Sequence, residues 1–396
     1  MTHLFLFDVD SVLVEARGYL VALQETVAHF SLQMGLGSLP PTEEEVRAFE
    51  ANGLTSEWDS GAACVAALLV ERVRREPALA LPGDWPAALQ ILAAKPLPLP
   101  PPDYAALARR AGSIRGTGDG VSAAQAVHAA LVDEVWTLPG AGASLLELLD
   151  TLLGHTHDLY RAPVTRYFQH LAIGSQAVAE TYGITPDLTS PPYLRDFDRP
   201  LLSLTTRSML KGVAAVGRVR AALYTARPSL PPADVDAVPS GYSPEAEMAR
   251  ALVGLETWPL IGMGRMQWLA DRSGRKVEQL VKPSPVQALA AIGAAWSGQE
   301  AEALQAALAL HDDGKLLPPL SDLNATAVHV FEDATVGLAA VERAVEALGR
   351  VGVNLAWRAY GVVPAAGPKM EAMMARGVAV YPSVNEAVMA ALSGTR

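Results

Sequence analysis

One cysteine in 396 residues, Cys64, excludes an intramolecular disulfide framework and fits a reducing compartment. Its neighbours, Ala62 to Leu69, are otherwise small and apolar, which makes it a core residue rather than a nucleophile. No stretch of about 18 apolar residues runs free of charge, Gly or Pro, so no membrane span is expected. The N-terminus lacks a basic region followed by an apolar core, and Asp8 and Asp10 interrupt any signal sequence. Basic residues are also short: 31 Lys and Arg against 42 Asp and Glu give a net charge of −11, which disfavours a nucleic-acid partner. Charged residues make up only 18% and apolar residues 50%, enough to bury a sizeable core and too apolar for disorder. A cytoplasmic protein of two domains is expected.

Three segments organise the chain. Residues 1–14 hold a buried strand, His3 to Phe7, followed by an Asp pair. Residues 15–199 read as helical, with helices expected over Glu15–Met34, Thr42–Asn52, Glu57–Glu76, Asp103–Ala111, Ser122–Thr137, Ala143–Leu153, Pro163–His170 and Ser175–Tyr182. Thr42 with Glu45 three positions on is a capping-box signature. Within this region Lys95 to Pro102 carries too many prolines for helix or central strand and reads as a stiff spacer. From residue 200 to 396 strands alternate with helices. Strands are expected at Arg220–Tyr224, Trp258–Gly262, Val277–Val281, Ala327–Phe331, Val351–Ala356 and Gly377–Tyr381. The expected fold is α/β: a Rossmann-like, doubly wound parallel-sheet core interrupted after its first strand by an enlarged all-helical insertion.

Ligands of open parallel sheets bind beyond the carboxyl ends of the strands, so residues just after several strands can converge. Asp8 and Asp10, two apart at the end of an extended run, can point the same way, and their repulsion calls for a cation between them. Magnesium suits such a site, being a hard ion held by one or two carboxylates, waters and a substrate phosphate. Glu332 and Asp333 form a second acidic pair after another buried strand and would complete the metal shell; equally, Asp333 could cap the helix that follows. Thr225 offers a hydroxyl to a phosphate oxygen. Lys282, before Pro283-Ser284-Pro285, can set a point charge beside phosphate or a nucleophilic carboxylate, or sit solvated at a loop edge.

In this order the motifs resemble those of the haloacid dehalogenase-like hydrolase superfamily, in the branch with a helical cap inserted after the first motif. Phe7 to Leu13 is similar to the Asp-x-Asp first motif, Thr225 to the second, Lys282 to the third, and Val330 to Gly337 to the fourth in its Glu-Asp form. Ser11 stands where the family usually has Gly or Thr, and the insertion is much longer than the usual cap. The resemblance implies magnesium-dependent hydrolysis of a small phosphomonoester. In that reading Asp8 is the nucleophile and Asp10 the general acid and base. Thr225 and Lys282 hold phosphate; Asp8, Asp10 through its backbone carbonyl, Glu332 and Asp333 hold the metal. A phosphomutase of the same superfamily, or a non-catalytic ligand-binding protein on the same fold, are the alternatives. A dehalogenase is disfavoured by Asp10 and the metal pair.

Substrate choice is expected to lie in the insertion, with Glu57, Trp58 and Asp59 as the specificity segment and Arg166, Tyr167 and His170 as weaker candidates. The same segment also reads as an ordinary helix start, with Thr55 or Ser56 capping and Trp58 packing inward. Gly116 to Gly120 is expected to be a flexible turn; His155, His157 and Asp158 are at most a metal fragment; Asp271 to Gly274 and Asp312 to Gly314 read as helix-ending turns.

Overall fold

The structure, a computed structural model, describes residues 2–117, 121–138, 142–235 and 242–394. The chain divides into two compact units, one of Met1–Ala16, Glu180–Gly183 and Asp198–Arg396, the other of Arg17–Ala179 and Ile184–Phe197.

Strand β1 (Thr2–Phe7) and the two-residue β2 (Val14–Glu15) precede a run of helices: α1 (Gly18–Gln33), α2 (Glu43–Ala51), α3 (Glu57–Arg75), α4 (Trp85–Ala94), α5 (Tyr104–Thr117), α6 (Ala123–Val135), α7 (Ala143–Leu153), α8 (Pro163–Ala172), α9 (Ser175–Tyr182) and α10 (Tyr193–Phe197). Helix α3 is the centre of the helical unit. From Asp59 to Val73 nearly every residue is buried, and its small Ala and Gly side chains let neighbouring helices approach closely. Thr42 and Glu45 form the expected capping box at α2, the Thr42 hydroxyl accepting from the Glu45 amide at 3.2 Å and the Glu45 carboxylate from the Thr42 amide at 2.8 Å. The proline-rich segment is pinned as a strap. The Leu97 and Leu99 amides donate to the Gly35 and Leu36 carbonyls at 2.9 and 3.0 Å, and the buried Arg72 donates to the Lys95 carbonyl at 2.9 Å.

The unit that holds β1 and β2 continues with β3 (Arg199–Pro200), α11 (Leu204–Ala215), β4 (Val219–Tyr224), α12 (Glu245–Leu252), β5 (Leu260–Ile261), α13 (Met263–Ser273), α14 (Pro285–Ser297), α15 (Glu300–Asp313), β6 (Ala325–Glu332), α16 (Thr335–Arg350), β7 (Ala356–Val362), α17 (Pro368–Ala375), β8 (Ala379–Tyr381) and α18 (Val384–Ser393). Among the described residues the main sheet is parallel throughout, in the order β5-β4-β1-β6-β7-β8. Alternation along the strands divides the core. Leu4, Leu6, Ala222, Val328 and Val330 pack with α13 to α16, while Phe5, Phe7, Leu223 and Phe331 pack with α11, α12 and α18. This is a Rossmann-like three-layer core with helices on both faces. Phe7 and Phe331 stack at 4.4 Å between ring centres on the second face. Strand β2 pairs antiparallel with β3, Val14 opposite Pro200 and Glu15 opposite Arg199, so the chain leaves and re-enters this unit through neighbouring strands.

Two expected strands are corrected. Residues 277–281 form a single 3-10 turn, Val277–Gln279, whose Val277 carbonyl accepts from both the Leu280 and Val281 amides. The backbone is satisfied locally and joins no ladder. Residues 351–353 wind off the end of α16, with Val353 donating to the Leu348 carbonyl and Gly352 at φ +90°, so the strand begins only at Ala356. Helices α4, α10, α11 and α13 add to those expected. Gly116 lies in the last turn of α5, and residues 118–120 of the expected turn lie outside the described residues.

Candidate active site

Pairing of β1 with its neighbours sets Phe7 level with Leu223 on β4 and Phe331 on β6. One residue further, Asp8, Tyr224 and Glu332 continue the row of Leu4, Leu6, Ala222 and Val330, and therefore point to the face covered by α14. Lys282 enters from the loop before α14 on that same face. Its Nζ lies 3.0 Å from Asp8 Oδ1 and 2.7 Å from Glu332 Oε1, donates to the Tyr224 carbonyl at 3.3 Å, and sits 3.8 Å above the Tyr224 ring. The Tyr224 hydroxyl donates to Glu332 Oε1 at 2.5 Å.

The electrostatics follow from this crowding. Burial, then Glu332, pushes the Asp8 carboxyl well above the usual carboxylate range, with Lys282 opposing. Burial works against the Lys282 charge, but the Asp8 and Glu332 carboxylates outweigh it and raise its pKa, so the ammonium stays charged. Burial and Glu332 raise the Tyr224 phenol, keeping it a neutral donor. Asp8, Glu332 and Asp333 bring carboxylate oxygens within 4.8 Å of one another, the one such ligand group among the described residues. Lys369 pairs with Asp333 at 2.5 Å. Three carboxylates thus share two ammonium groups, and the acidic surplus, all in hard oxygen donors, is chemistry that can hold a metal ion. Asp333 does not cap α16, whose N-cap is Ala334 without a side-chain bond. Gly337 in the first turn of that helix is required by packing, because a Cβ there would collide with the Glu332 carboxylate.

Asp10 is placed differently. Its carboxylate faces Arg227, which donates from Nε to Oδ1 and Oδ2 at 2.8 and 3.0 Å and from Nη2 to Oδ1 at 2.6 Å. The Asp10 side chain is therefore absent from the acidic trio, and the cation its carboxylate faces is the Arg227 guanidinium. Ser11, at φ +62°, makes the turn after it, its amide donating to the Val14 carbonyl at 2.8 Å. Thr225 is buried. Its amide donates to the Ile261 carbonyl at 3.1 Å and its hydroxyl oxygen accepts from the Arg227 amide at 3.2 Å. Gln287 on α14 fastens the loops together, donating to the Thr225 and Ile261 carbonyls at 2.9 and 3.1 Å and accepting from the Lys282 amide at 3.3 Å.

Within the helical unit, Trp58 Nε1 donates to Gln169 at 3.1 Å and its ring meets His157 edge-on at 5.2 Å. Asp59 is buried and accepts from the Thr156 hydroxyl at 2.5 Å and faces His157 Nε2 at 3.2 Å. Ser56 is the N-cap of α3 without a side-chain cap bond. Arg166 pairs with Asp187 at 3.0 Å, Tyr167 stacks on His29 at 4.0 Å, and His170 is fully buried. His155, His157 and Asp158 border an open cleft of about 620 Å³, yet they provide no convergent ligand trio among the described residues. Gly274 and Gly314 end α13 and α15 in the left-handed conformation, as expected.

Arg227, Asp198, Tyr224, Gln287 and Lys369 were not legible as site residues. Tyr224 reads as strand core, and Arg227 lies 217 positions from the carboxylate it grips.

No family model and no curated protein matches the chain. Among solved structures, an X-ray structure of a Northeast Structural Genomics Consortium target, ZR25, is similar over 100% of both chains, with a TM-score of 0.66 and 13% identity. Phosphatase Tt82 from Thermococcus thioreducens is matched over 89% of this chain and 91% of its own, with a TM-score of 0.40 and 14% identity. The first likeness shows a shared fold; the second is too loose to argue from.

Proposed function

We propose that the protein is a magnesium-dependent phosphatase of the haloacid dehalogenase-like type, acting on a small phosphomonoester. The observation that carries this reading is Lys282 bridging Asp8 and Glu332 beyond the ends of β1 and β6, with Asp333 completing an acidic trio. Asp8 attacks phosphorus as the bond to the leaving oxygen breaks, and Asp10 gives that oxygen its proton. Asp10 then takes a proton from water as the water oxygen attacks the aspartyl-phosphate, releasing inorganic phosphate and restoring the Asp8 carboxylate. Lys282 holds Asp8 in place and balances charge on the phosphoryl oxygens, and Thr225 donates its hydroxyl to one of them. Asp8, Glu332 and Asp333 would hold magnesium, which when bound offsets the repulsion between an anionic nucleophile and an anionic substrate. Substrate choice is assigned to the helical unit, because groups for phosphate and metal do not distinguish leaving groups.

The test is phosphate release from p-nitrophenyl phosphate and a panel of phosphorylated metabolites, with and without magnesium. Release that depends on magnesium and on Asp8 is expected. A wild-type protein that releases no phosphate from any of them overturns the reading, and a phosphorylated product in place of inorganic phosphate reassigns it as a mutase.

A further inference from the structure

Asp10 has two proton transfers to make in the proposed reaction, yet its side chain is 38% exposed and must be aimed. The Arg227 side chain is 2% exposed and its Nη2 donates to Asp198 Oδ2 at 3.0 Å, while its backbone is tied on both sides, the amide donating to the Thr225 hydroxyl and the carbonyl accepting from the Met263 amide at 2.9 Å. Asp198 is itself fully buried and immediately precedes β3, and β3 pairs with β2 just beyond the Asp10 turn. We propose that Arg227, anchored by Asp198, is the positioning residue for Asp10.

A guanidinium presents a planar fork, so contact from both Nε and Nη2 fixes the rotation of a carboxylate as well as its distance, which a point charge cannot do. The buried Asp198 balances the guanidinium, so the fork orients Asp10 without leaving an uncompensated cation in the core. An exposed aspartate would otherwise sample several rotamers, and proton transfer demands hydrogen-bond reach at the moment the leaving oxygen departs.

This inference rests on the phosphatase reading, and its test separates the two. Arg227→Lys, Asp10→Asn and the double variant are assayed with p-nitrophenyl phosphate and phenyl phosphate. The poorer phenolate leaving group needs its proton, whereas nitrophenolate departs largely without one. Arg227→Lys is expected to lower kcat/KM for phenyl phosphate by ~10 to 100-fold and for p-nitrophenyl phosphate by less than ~5-fold. In the Asp10→Asn background the same substitution should cost less than ~3-fold on either substrate, because the proton transfer that Arg227 serves is gone. Equal losses on both substrates, or full additivity in the double variant, would overturn the assignment. Should Arg227→Lys fold poorly by thermal melt, Asp198→Asn carries the same leaving-group test. If the wild type hydrolyses neither ester nor any metabolite, the phosphatase reading falls, and this inference with it.

Discussion

Asp59 in the helical unit and Asp8 in the α/β unit are both buried carboxylates, yet their surroundings differ in kind. Asp59 is met by the Thr156 hydroxyl and a histidine, and Thr156 is held in turn by the Thr165 hydroxyl at 2.7 Å from its carbonyl. Each donor serves to tie a loop to a helix, and the arrangement is complete within itself. Asp8 shares one ammonium with Glu332 and has Asp333 beside it, a set left acidic after its internal bonds are made. Buried polar groups that satisfy one another stabilise a fold; those that remain unbalanced after folding are equipped for a ligand.

The sharpest way to break this contrast is substitution on both sides. Asp8→Asn should lower turnover by at least about a hundredfold while leaving the thermal midpoint within a few degrees, since an amide cannot serve as the anionic nucleophile. Turnover like that of the wild type would remove Asp8 from its role. Asp59→Ala should do the reverse, costing about 1–3 kcal/mol in urea unfolding by stranding the Thr156 hydroxyl, with activity altered far less than by Asp8→Asn.

Acid exposes a second buried polar cluster of the structural kind. Burial holds His329 neutral and pushes its pKa down to about 3, while its ring nitrogens contact His3 and the Tyr360 hydroxyl at 3.0 Å each. The unfolded imidazole titrates near 6.5, so the unfolded state binds the extra proton first. Stability is full above that pH and falls as the pH drops through the window toward 3, by about 3 kcal/mol at pH 4. Urea unfolding between pH 7 and 4 should show this fall, and His329→Leu should flatten it; an unchanged acid slope in the variant would assign the loss elsewhere.

Two smaller effects refine the comparison. Trp58→Ala and Glu57→Ala should reorder kcat/KM across a substrate panel by ~3 to 10-fold if that segment meets substrate. A uniform change with lowered stability would place Trp58 with Asp59 among the structural groups. Lys369 is 63% exposed at its side chain, so its hold on Asp333 is weak. Lys369→Ala should tighten magnesium binding by ~2 to 5-fold in calorimetry, by removing a competing cation.

What could be read from the sequence follows from how local each signal is. Asp8, Glu332 and Asp333 stand at the ends of long apolar strands, and the α/β alternation with a helical insertion is visible in periodicity alone. Val277 to Val281 is apolar enough at its ends to suggest a strand but closes a local turn, and Lys282 still reaches the site because Ser284 and Pro285 start α14 at once. Val351 to Ala356 reads as a strand, which the left-handed Gly352 overrides at its start. Arg227, Asp198 and Gln287 carry no local mark, since their value is created by long-range pairing that periodicity does not encode.

The pairing of β2 with β3 has a consequence for how the chain folds. For β2 to meet β3, residues on either side of about 180 intervening positions must come together. If those positions were still disordered, loop closure would cost about 2–3 kcal/mol more than for a ten-residue connection. The helical unit has a hydrophobic core of its own, with α3 packed on α1, α6, α7 and α8, so it can form without the sheet. An insertion that folds first is expected to shorten the effective tether, so that sheet formation in the α/β unit becomes the late, slow step.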